Sequence, residues 1–271
     1  MKAADFTLVR PTTLADALAA LRAPEARVIA GGQSLAPMLN LRLARPETLV
    51  AVGTLPELAG ASETVETITL GAGTTHAAIA DGRTPDLPGG ILARVAEGIA
   101  YRAIRNRGTI GGSLCHADPA ADWPTVLSAL GASVVVAGPA GTRTAALPGF
   151  IAGAFRVALD KGELVQAVRI PKPSAGSRWG YYKACRKPGE FAHAMAAVLI
   201  DGAVRRGVIG AVGGAPILLP DLSEATARTA LEASGLDPMG RQMQVVAFRR
   251  ALAMAGTGTG AGAGAGAEAG R

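Results

Sequence analysis

Two short segments of the chain each combine a Gly-Gly pair with hydroxyl side chains. The first reads AGGQS over residues 30–34, and the second reads TIGGS over residues 109–113. Glycines keep side chains away from the backbone N–H groups, and Ser34, Thr109 and Ser113 could add hydroxyl donors, so both segments suit a phosphate. Either segment alone could be only a tight turn. Together they favour a pyrophosphate held from both sides.

Other residues with reactive side chains form weaker patterns. Cys115 and His116 are adjacent, but no second Cys/His pair with zinc spacing and no G-x-S-x-G nucleophile elbow occurs. Asp118 and Asp122 lie beside or near prolines, where turn or helix-cap roles are usual. Asp122 also follows Ser113 closely enough to reach a ribose hydroxyl of a ligand bound there. We therefore expect a binding site rather than a metal or nucleophile site.

A dinucleotide-binding fingerprint can be tested on the segment TLGAGTTH. Gly71 and Gly73 match the start of G-x-G-x-x-G, but His76 stands where the third Gly or Ala belongs. The acidic residue that the fingerprint requires about twenty positions later, at a strand end, is missing. The segment is more typical of a turn that ends a strand.

The charge balance is basic, with 27 Lys and Arg against 21 Asp and Glu and a net charge of +6. Aromatic residues make up only 4% of the chain and are not interleaved with the arginines, so we predict no nucleic-acid binding. Arg102, Arg105 and Arg107 crowd before the second Gly-Gly segment. They form either a solvated basic face or a surface for a phosphate or a partner subunit.

The two cysteines, Cys115 and Cys185, suggest no disulfide framework, so we expect a reducing compartment. They are also too few to ligate an iron–sulfur cluster, which typically takes four. The sequence contains no signal-type apolar run and no stretch long enough to span a membrane. We expect a cytoplasmic protein without a membrane span.

The elements that must position the first segment form a strand–helix–strand pattern. Apolar spacing predicts strands at 6–9, 28–30 and 48–52 and helices at 14–21 and 35–44. The first segment then lies between a strand and a helix, where the helix dipole favours a phosphate. Residues 1–57 are assigned to a first subdomain.

Residues 58–172 are assigned to a second subdomain, in which TIGGS is expected to be a loop. The predicted strands of this subdomain lie at 65–73, 133–137 and 164–170, and its helices at 75–81, 90–100 and 122–130.

Residues 173–255 are assigned to a third, C-terminal domain. Its predicted elements are a strand at 180–185, two antiparallel strands within 194–214 that join near Asp201 and Gly202, and helices at 223–233 and 242–255. Residues 256–271, a Gly/Ala-rich tail of low complexity, are predicted to be disordered.

Three segments carry a resemblance to a known family: AGGQSLAPMLNLRLARPETLV, YRAIRNRGTIGGSLCHADPAADWP and LVQAVRIP. They resemble the FAD-binding medium subunit of the molybdenum hydroxylases, the carbon monoxide dehydrogenase and xanthine dehydrogenase family. The resemblance runs from about residue 3 to residue 255. It implies an α+β fold: two FAD-binding subdomains of the PCMH type (vanillyl-alcohol-oxidase-like), followed by a small C-terminal α+β domain with an antiparallel sheet.

The resemblance also implies the residues that contact FAD. By matching position these are Ala30, Gly31, Gly32, Gln33, Ser34, Leu35, Ile99, Thr109, Ile110, Gly111, Gly112, Ser113, Asp122, Leu164 and Lys183.

Each part of this set has an implied role. The ranges 30–35 and 109–113 would wrap the pyrophosphate and ribityl chain, and Ile99 would lie near the flavin. Asp122 would bond a ribose hydroxyl, Leu164 would be an apolar contact and Lys183 would lie near the isoalloxazine edge. Gln33 and Ser113 replace the His and Asn that many relatives have, and Lys187 replaces a common Arg.

As a function, the resemblance implies an electron-transfer subunit without catalytic residues or metal ligands of its own. Electrons would pass from 2Fe–2S clusters of a small subunit through FAD to an external acceptor, after substrate oxidation at a molybdopterin cofactor of a large subunit. The assembly would be a dimer of heterotrimers. The alternatives are a self-sufficient PCMH-type flavin oxidase or reductase with its own substrate pocket, and a non-catalytic nucleotide-binding module.

Overall fold

The computed structural model of the chain describes residues 2–256. The predicted disordered tail lies outside the described residues, apart from Gly256. Among residues 2–256, no helix combines the length and hydropathy needed to cross a membrane.

The first part of the chain forms a small parallel sheet with two helices. Its strand order is β1-β3-β2, and both β1 and β2 pair in parallel with β3. Its elements are β1 (Thr7–Val9), α1 (Leu14–Ala20), β2 (Ala26–Ile29), α2 (Leu35–Asn40) and β3 (Thr48–Ala51).

Helix α2 is shorter than predicted, because the chain turns at Arg42. Arg42 adopts a φ of 58°, in the left-handed region, and Leu43 N–H donates to the carbonyl of Met38 at 2.8 Å. This is a usual way to end a helix, and it leaves the apolar side chains of Leu41 and Leu43 exposed.

The middle part contains a five-stranded antiparallel sheet of order β4-β5-β10-β6-β7 and a separate two-stranded sheet of β8 and β9. Its strands are β4 (Ala61–Glu63), β5 (Thr67–Gly71), β6 (Ser133–Gly138), β7 (Gly141–Ala146), β8 (Ile151–Gly153), β9 (Arg156–Val157) and β10 (Leu164–Pro171). Its helices are α3 (His76–Ala80), α4 (Ile91–Glu97), α5 (Arg102–Arg105), α6 (Ile110–His116), α7 (Asp122–Leu130) and α8 (Leu147–Phe150), and a 3-10 turn spans Pro56–Leu58.

The 3-10 turn explains the glycines of the TLGAGTTH segment. A Cβ atom on Gly71 or Gly73 would lie 2.4 or 2.8 Å from the carbonyl oxygen of Leu58. These glycines therefore allow β5 to pack against the turn, as expected for a strand end rather than a dinucleotide-binding loop.

The last part is a four-stranded antiparallel sheet covered by helices. Strand β12 is buried on both faces: its Ala196 and Val198 pack in the core under the two C-terminal helices, and Ala197 contacts the α7 side. Helix α7 thus joins the middle part to this sheet. The elements are β11 (Arg178–Ala184), β12 (Ala194–Asp201), β13 (Val204–Gly210), β14 (Ile217–Leu219), α9 (Glu224–Glu232) and α10 (Pro238–Gly256).

The alternation of helices with a small parallel sheet and two antiparallel sheets is the predicted α+β class. Each of the three main sheets draws its strands from within one predicted unit, although the unit boundaries themselves stay a prediction. The unpredicted elements are strands β4, β7, β8, β9 and β14 and helices α5, α6 and α8.

Candidate functional site

A cavity of about 780 Å³ brings the two Gly-Gly segments together. The cavity is lined by residues 30–35 and by four of the five residues of the second segment. It is also lined by the more distant Ile99, Asp122, Leu164 and Lys183. Ile110 is the one predicted contact residue that does not line it, because its side chain is fully buried in the main core. The volume and the mixture of apolar and polar lining residues are typical of a cofactor site.

The first segment is a loop between β2 and α2, as predicted. Gly32 adopts a φ of 74°, a conformation that favours glycine. The Gln33 side chain donates to the carbonyl of Gly31 at 3.3 Å. Ser34 occupies the cap position of α2 without making a side-chain cap bond, so its hydroxyl is not committed to the helix.

The second segment is not a loop, which corrects the prediction. Thr109 is the N-cap of α6, and its Oγ1 accepts a hydrogen bond from the N–H of Gly112 at 3.0 Å. Ile110, Gly111 and Gly112 form the first turn of the helix. Threonine is a favoured N-cap residue, and the Gly-Gly pair obscured this signal for a helix start.

The two segments adjoin through backbone contacts. A Cβ atom on Gly31 would lie 1.8 Å from the carbonyl oxygen of Arg107, and the Arg107 Nε donates to the Gly31 carbonyl at 3.4 Å. Glycine at position 31 is therefore required for the first segment to approach the residues that precede the second.

The three clustered arginines have separate partners rather than one common surface. Arg102 forms an ion pair with Asp81 at 2.5 Å, and Arg107 bonds Gly31. Arg105 donates to the carbonyls of Ile99 and Ala100 at 3.0 and 2.6 Å. Arg105 thereby fixes the short turn that places Ile99 at the cavity wall.

A buried histidine lies beneath the second segment. His76 accepts a hydrogen bond at Nδ1 from the indole N–H of Trp123 at 3.2 Å, and its ring packs against Gly108. Burial, aided by the positive charge of Arg105, lowers the pKa of His76 to about 4. The imidazole is therefore neutral at pH 7, with its proton on Nε2.

Asp122 and Lys183 form an ion pair at the cavity wall. The Lys183 ammonium lies 3.0 Å from each carboxylate oxygen, and their side chains are only 5% and 10% exposed. The hydroxyl of Tyr181 also donates to Asp122 Oδ1, at 2.7 Å. Burial raises the pKa of Asp122, and the Lys183 charge opposes that shift. The ammonium is thus paired with protein groups rather than presented to the cavity as a free charge.

The Cys115–His116 pair has no reactive geometry. Burial raises the pKa of the Cys115 thiol to about 12, so it is not a thiolate at pH 7. His116 packs on the ring of Phe155, with ring centroids 5.1 Å apart. Within residues 2–256, no cluster of His, Cys, Asp and Glu could hold a metal ion.

Sequence reasoning missed several residues of the site. His76 and Phe155 line the cavity, and Tyr181 holds Asp122 from behind. The signal for Tyr181 was its spacing: residues two apart on a strand share a face, so Tyr181 accompanies Lys183. Phe155 lies in the turn between β8 and β9, two strands that the sequence did not predict.

Comparison with known proteins gives a consistent result. Residues 4–173 match the family described as FAD binding domain in molybdopterin dehydrogenase. The carbon monoxide dehydrogenase medium chain of Afipia carboxidovorans is 36% identical over 241 residues, covering 86% of this chain and 83% of that protein. Caffeine dehydrogenase subunit beta of a Pseudomonas species is 34% identical, covering 76% and 71%.

Among solved structures, a carbon monoxide dehydrogenase from Hydrogenophaga pseudoflava, lacking the Mo-pyranopterin moiety of its molybdenum cofactor, superposes with a TM-score of 0.85. It is 30% identical, and the match covers 95% of this chain and 99% of that one. The predicted α+β fold and the predicted family are both confirmed. The chain belongs to the family of FAD-binding domains in molybdopterin dehydrogenases, and FAD is its cofactor.

Proposed function

We propose that the cavity holds FAD with its diphosphate between the two Gly-Gly segments, and that the chain serves as the electron-transfer subunit of a molybdenum hydroxylase. The observation that carries this proposal is that two distant segments, 30–34 and 109–113, line one cavity of cofactor size. When bound, FAD can exchange electrons singly with iron–sulfur centres and in pairs with an acceptor.

The residues present suit a diphosphate. The Ser34 hydroxyl makes no cap bond, and Gly112 has only Thr109 Oγ1 within 4 Å of the position of a Cβ, so neither side is filled by protein. Segment 30–34 leads into α2, where the N–H groups at a helix start favour an anion. In the second segment the N–H groups of residues 110–112 already have partners within the protein, so this segment would contribute the Ser113 hydroxyl. Arg107 adds positive charge beside Gly31.

The remaining contacts suit the sugar and the ring. The buried Asp122 carboxylate would accept a hydroxyl of the ribose, and Ile99 and Leu164 provide apolar wall. Lys183 would lie near the isoalloxazine edge, where it acts through the pair with Asp122 rather than as a free cation. The neutral His76 would offer an N–H donor without adding charge.

In this proposal the substrate chemistry would take place on another subunit. The described residues include no metal-binding cluster, and the one cysteine that lines the cavity is protonated at pH 7. Its partners would be a molybdopterin-binding large subunit and a 2Fe–2S small subunit, assembled as a dimer of heterotrimers. Relatives named as a medium chain or a subunit support a place in a multi-subunit complex.

The experiment is purification of the native complex, followed by flavin extraction and metal analysis. We expect one FAD for each copy of this chain, with molybdenum and iron in the complex. A Gly112→Leu variant should lose FAD, because its side chain would enter the cavity, while Gly149→Leu, in open space on α8, should retain it. A colourless complex that does not take up FAD would contradict the proposal.

A second measurement separates the self-sufficient alternative. The isolated chain, loaded with FAD, should not oxidise substrates that the complex oxidises. Turnover by the isolated chain would favour a flavin oxidase or reductase with its own substrate pocket.

A further inference from the structure

Three polar side chains from two elements meet at the cavity wall. Asp122 begins α7, whereas Tyr181 and Lys183 lie on β11. Because alternate residues of a strand point to the same face, both β11 side chains reach Asp122. Tyr181 is largely buried, but unlike the other two it does not line the cavity.

The hydrogen bonds divide unequally between the two carboxylate oxygens. Lys183 donates to Oδ1 and Oδ2 of Asp122 at 3.0 Å each and to the carbonyl of Gly98 at 3.2 Å. These contacts match the three donors of an ammonium group. Tyr181 donates a second bond to Oδ1, at 2.7 Å, so Oδ2 is the less occupied oxygen.

We propose that Tyr181 is a positioning residue of the FAD site: by holding Oδ1 of Asp122, it leaves Oδ2 as the oxygen that accepts a hydroxyl of the cofactor. This inference rests on the proposed role of Asp122 in binding the ribose. It adds a residue that does not contact the cofactor but determines how the carboxylate is presented to it.

The state of the phenol supports this role. Burial and the neighbouring carboxylate raise the pKa of Tyr181 well above its usual value, so the hydroxyl remains a donor. Hydrogen bonds to a charged group are among the stronger ones in proteins. Without this bond, Oδ1 gains a free acceptor site, and the carboxylate can turn about its Cβ–Cγ bond away from the cofactor.

The neighbouring tyrosine provides a matched control. Tyr182 points to the opposite face of β11, where its hydroxyl bonds Arg250 and its ring lies 4.8 Å from the Arg250 guanidinium carbon. Tyr181→Phe and Tyr182→Phe therefore remove the same atom from adjacent residues. Only the first removes a partner of Asp122.

The test is titration of FAD into the native complex after mild removal of its flavin. We expect Tyr181→Phe to raise the Kd for FAD about tenfold, the effect of one bond to a charged group, and Tyr182→Phe to change it less than about twofold. Equal Kd values for wild type and Tyr181→Phe would overturn the inference.

A double-mutant cycle with Asp122→Asn distinguishes positioning from a general structural role. If Tyr181 acts through Asp122, adding Tyr181→Phe to Asp122→Asn should weaken FAD binding no further. A tenfold effect that persists in the Asp122→Asn background would overturn the inference. If Asp122→Asn does not assemble, the two tyrosine variants still decide the question.

The wild-type complex distinguishes a failure of the proposed function from a failure of the role of Tyr181. Stripped wild type that never takes up FAD would refute the proposed function itself. Wild type that rebinds FAD, with Tyr181→Phe binding equally well, would leave the proposed function intact and refute only the role of Tyr181.

Discussion

The two Gly-Gly segments look alike in sequence and differ in structure. Segment 30–34 is a loop in which Gly32 has a φ of 74° and Ser34 makes no cap bond. Segment 109–113 begins helix α6, and Thr109 caps it through the N–H of Gly112. The same Gly-Gly sequence therefore adopts two different backbone conformations at one cavity.

The glycines nevertheless divide their roles in the same way. The first of each pair packs protein against protein: a Cβ on Gly31 would meet the Arg107 carbonyl at 1.8 Å, and one on Gly111 would meet Ala72 Cβ at 2.5 Å. The second has more room, with Gly32 needed for its left-handed conformation and Gly112 adjoining Thr109. In each pair, the first glycine allows a tight contact within the protein, and the second leaves space beside the cavity. Only the second glycine therefore acts as predicted, by keeping a side chain out of the site.

The largest effect should come from the first glycine of either pair. Gly31→Ala and Gly111→Ala place a methyl group against backbone atoms that cannot move aside, so each should lower the free energy of unfolding by about 3 kcal/mol or more. Both should also lose FAD. Urea unfolding and flavin content measure the two effects.

Gly149→Ala is the control for this comparison. Gly149 is exposed on α8, with nothing within 4 Å of the Cβ position and no positive φ, so alanine should be neutral or slightly stabilising. If Gly31→Ala were as stable as Gly149→Ala, this result would contradict the close contact between Gly31 and the Arg107 carbonyl.

A second difference between the segments is their response to acid. Segment 30–34 has no titratable side chain, whereas the second rests on His76, whose backbone N–H also bonds the Gly108 carbonyl. The native pKa of about 4 lies below the usual 6.5, so the unfolded chain takes up this proton first. His76 therefore leaves the free energy of unfolding unchanged well above pH 6.5 and lowers it as the pH decreases towards 4.

Between pH 7 and pH 5 this linkage should remove about 2 kcal/mol from the free energy of unfolding. Urea unfolding of the flavin-free chain at a series of pH values measures it. His76→Asn should flatten this part of the pH dependence, whereas His116→Asn should retain most of it. An unchanged slope in His76→Asn would show that another group titrates.

The contrast also explains what the sequence could and could not predict. Strand β2 and helix α2 were predictable because apolar periodicity flanks AGGQS on both sides. Helix α6 was not, because two glycines disfavour a helix; the Thr109 cap and the packing of Ile110 and Leu114 in the core stabilise it. Short strands such as β8 and β9 form against the rest of the fold and have no periodic signal of their own.

For the site, the family resemblance supplied residues that spacing alone would not. Asp122 and Lys183 are far apart in the chain, and only the third sheet packing on α7 brings them to 3.0 Å. Ile110 was included by matching position in the family resemblance, but on a helix its side chain points into the core. Tyr181 was missed because its partner, Asp122, is distant in the sequence and lies on another element, α7.

The smallest effects should distinguish the hydroxyls of the two segments. Thr109→Ala removes a cap and should lower the free energy of unfolding of the flavin-free chain by about 1 kcal/mol. Ser34→Ala removes no cap bond and should change it by less than about 0.5 kcal/mol. If Ser34 donates to the diphosphate, Ser34→Ala should still raise the Kd for FAD by about tenfold, since one hydrogen bond to a charged group contributes about 1.5 kcal/mol. A Ser34→Ala variant that loses stability without losing affinity would show that the first segment, like the second, uses its hydroxyl for the fold.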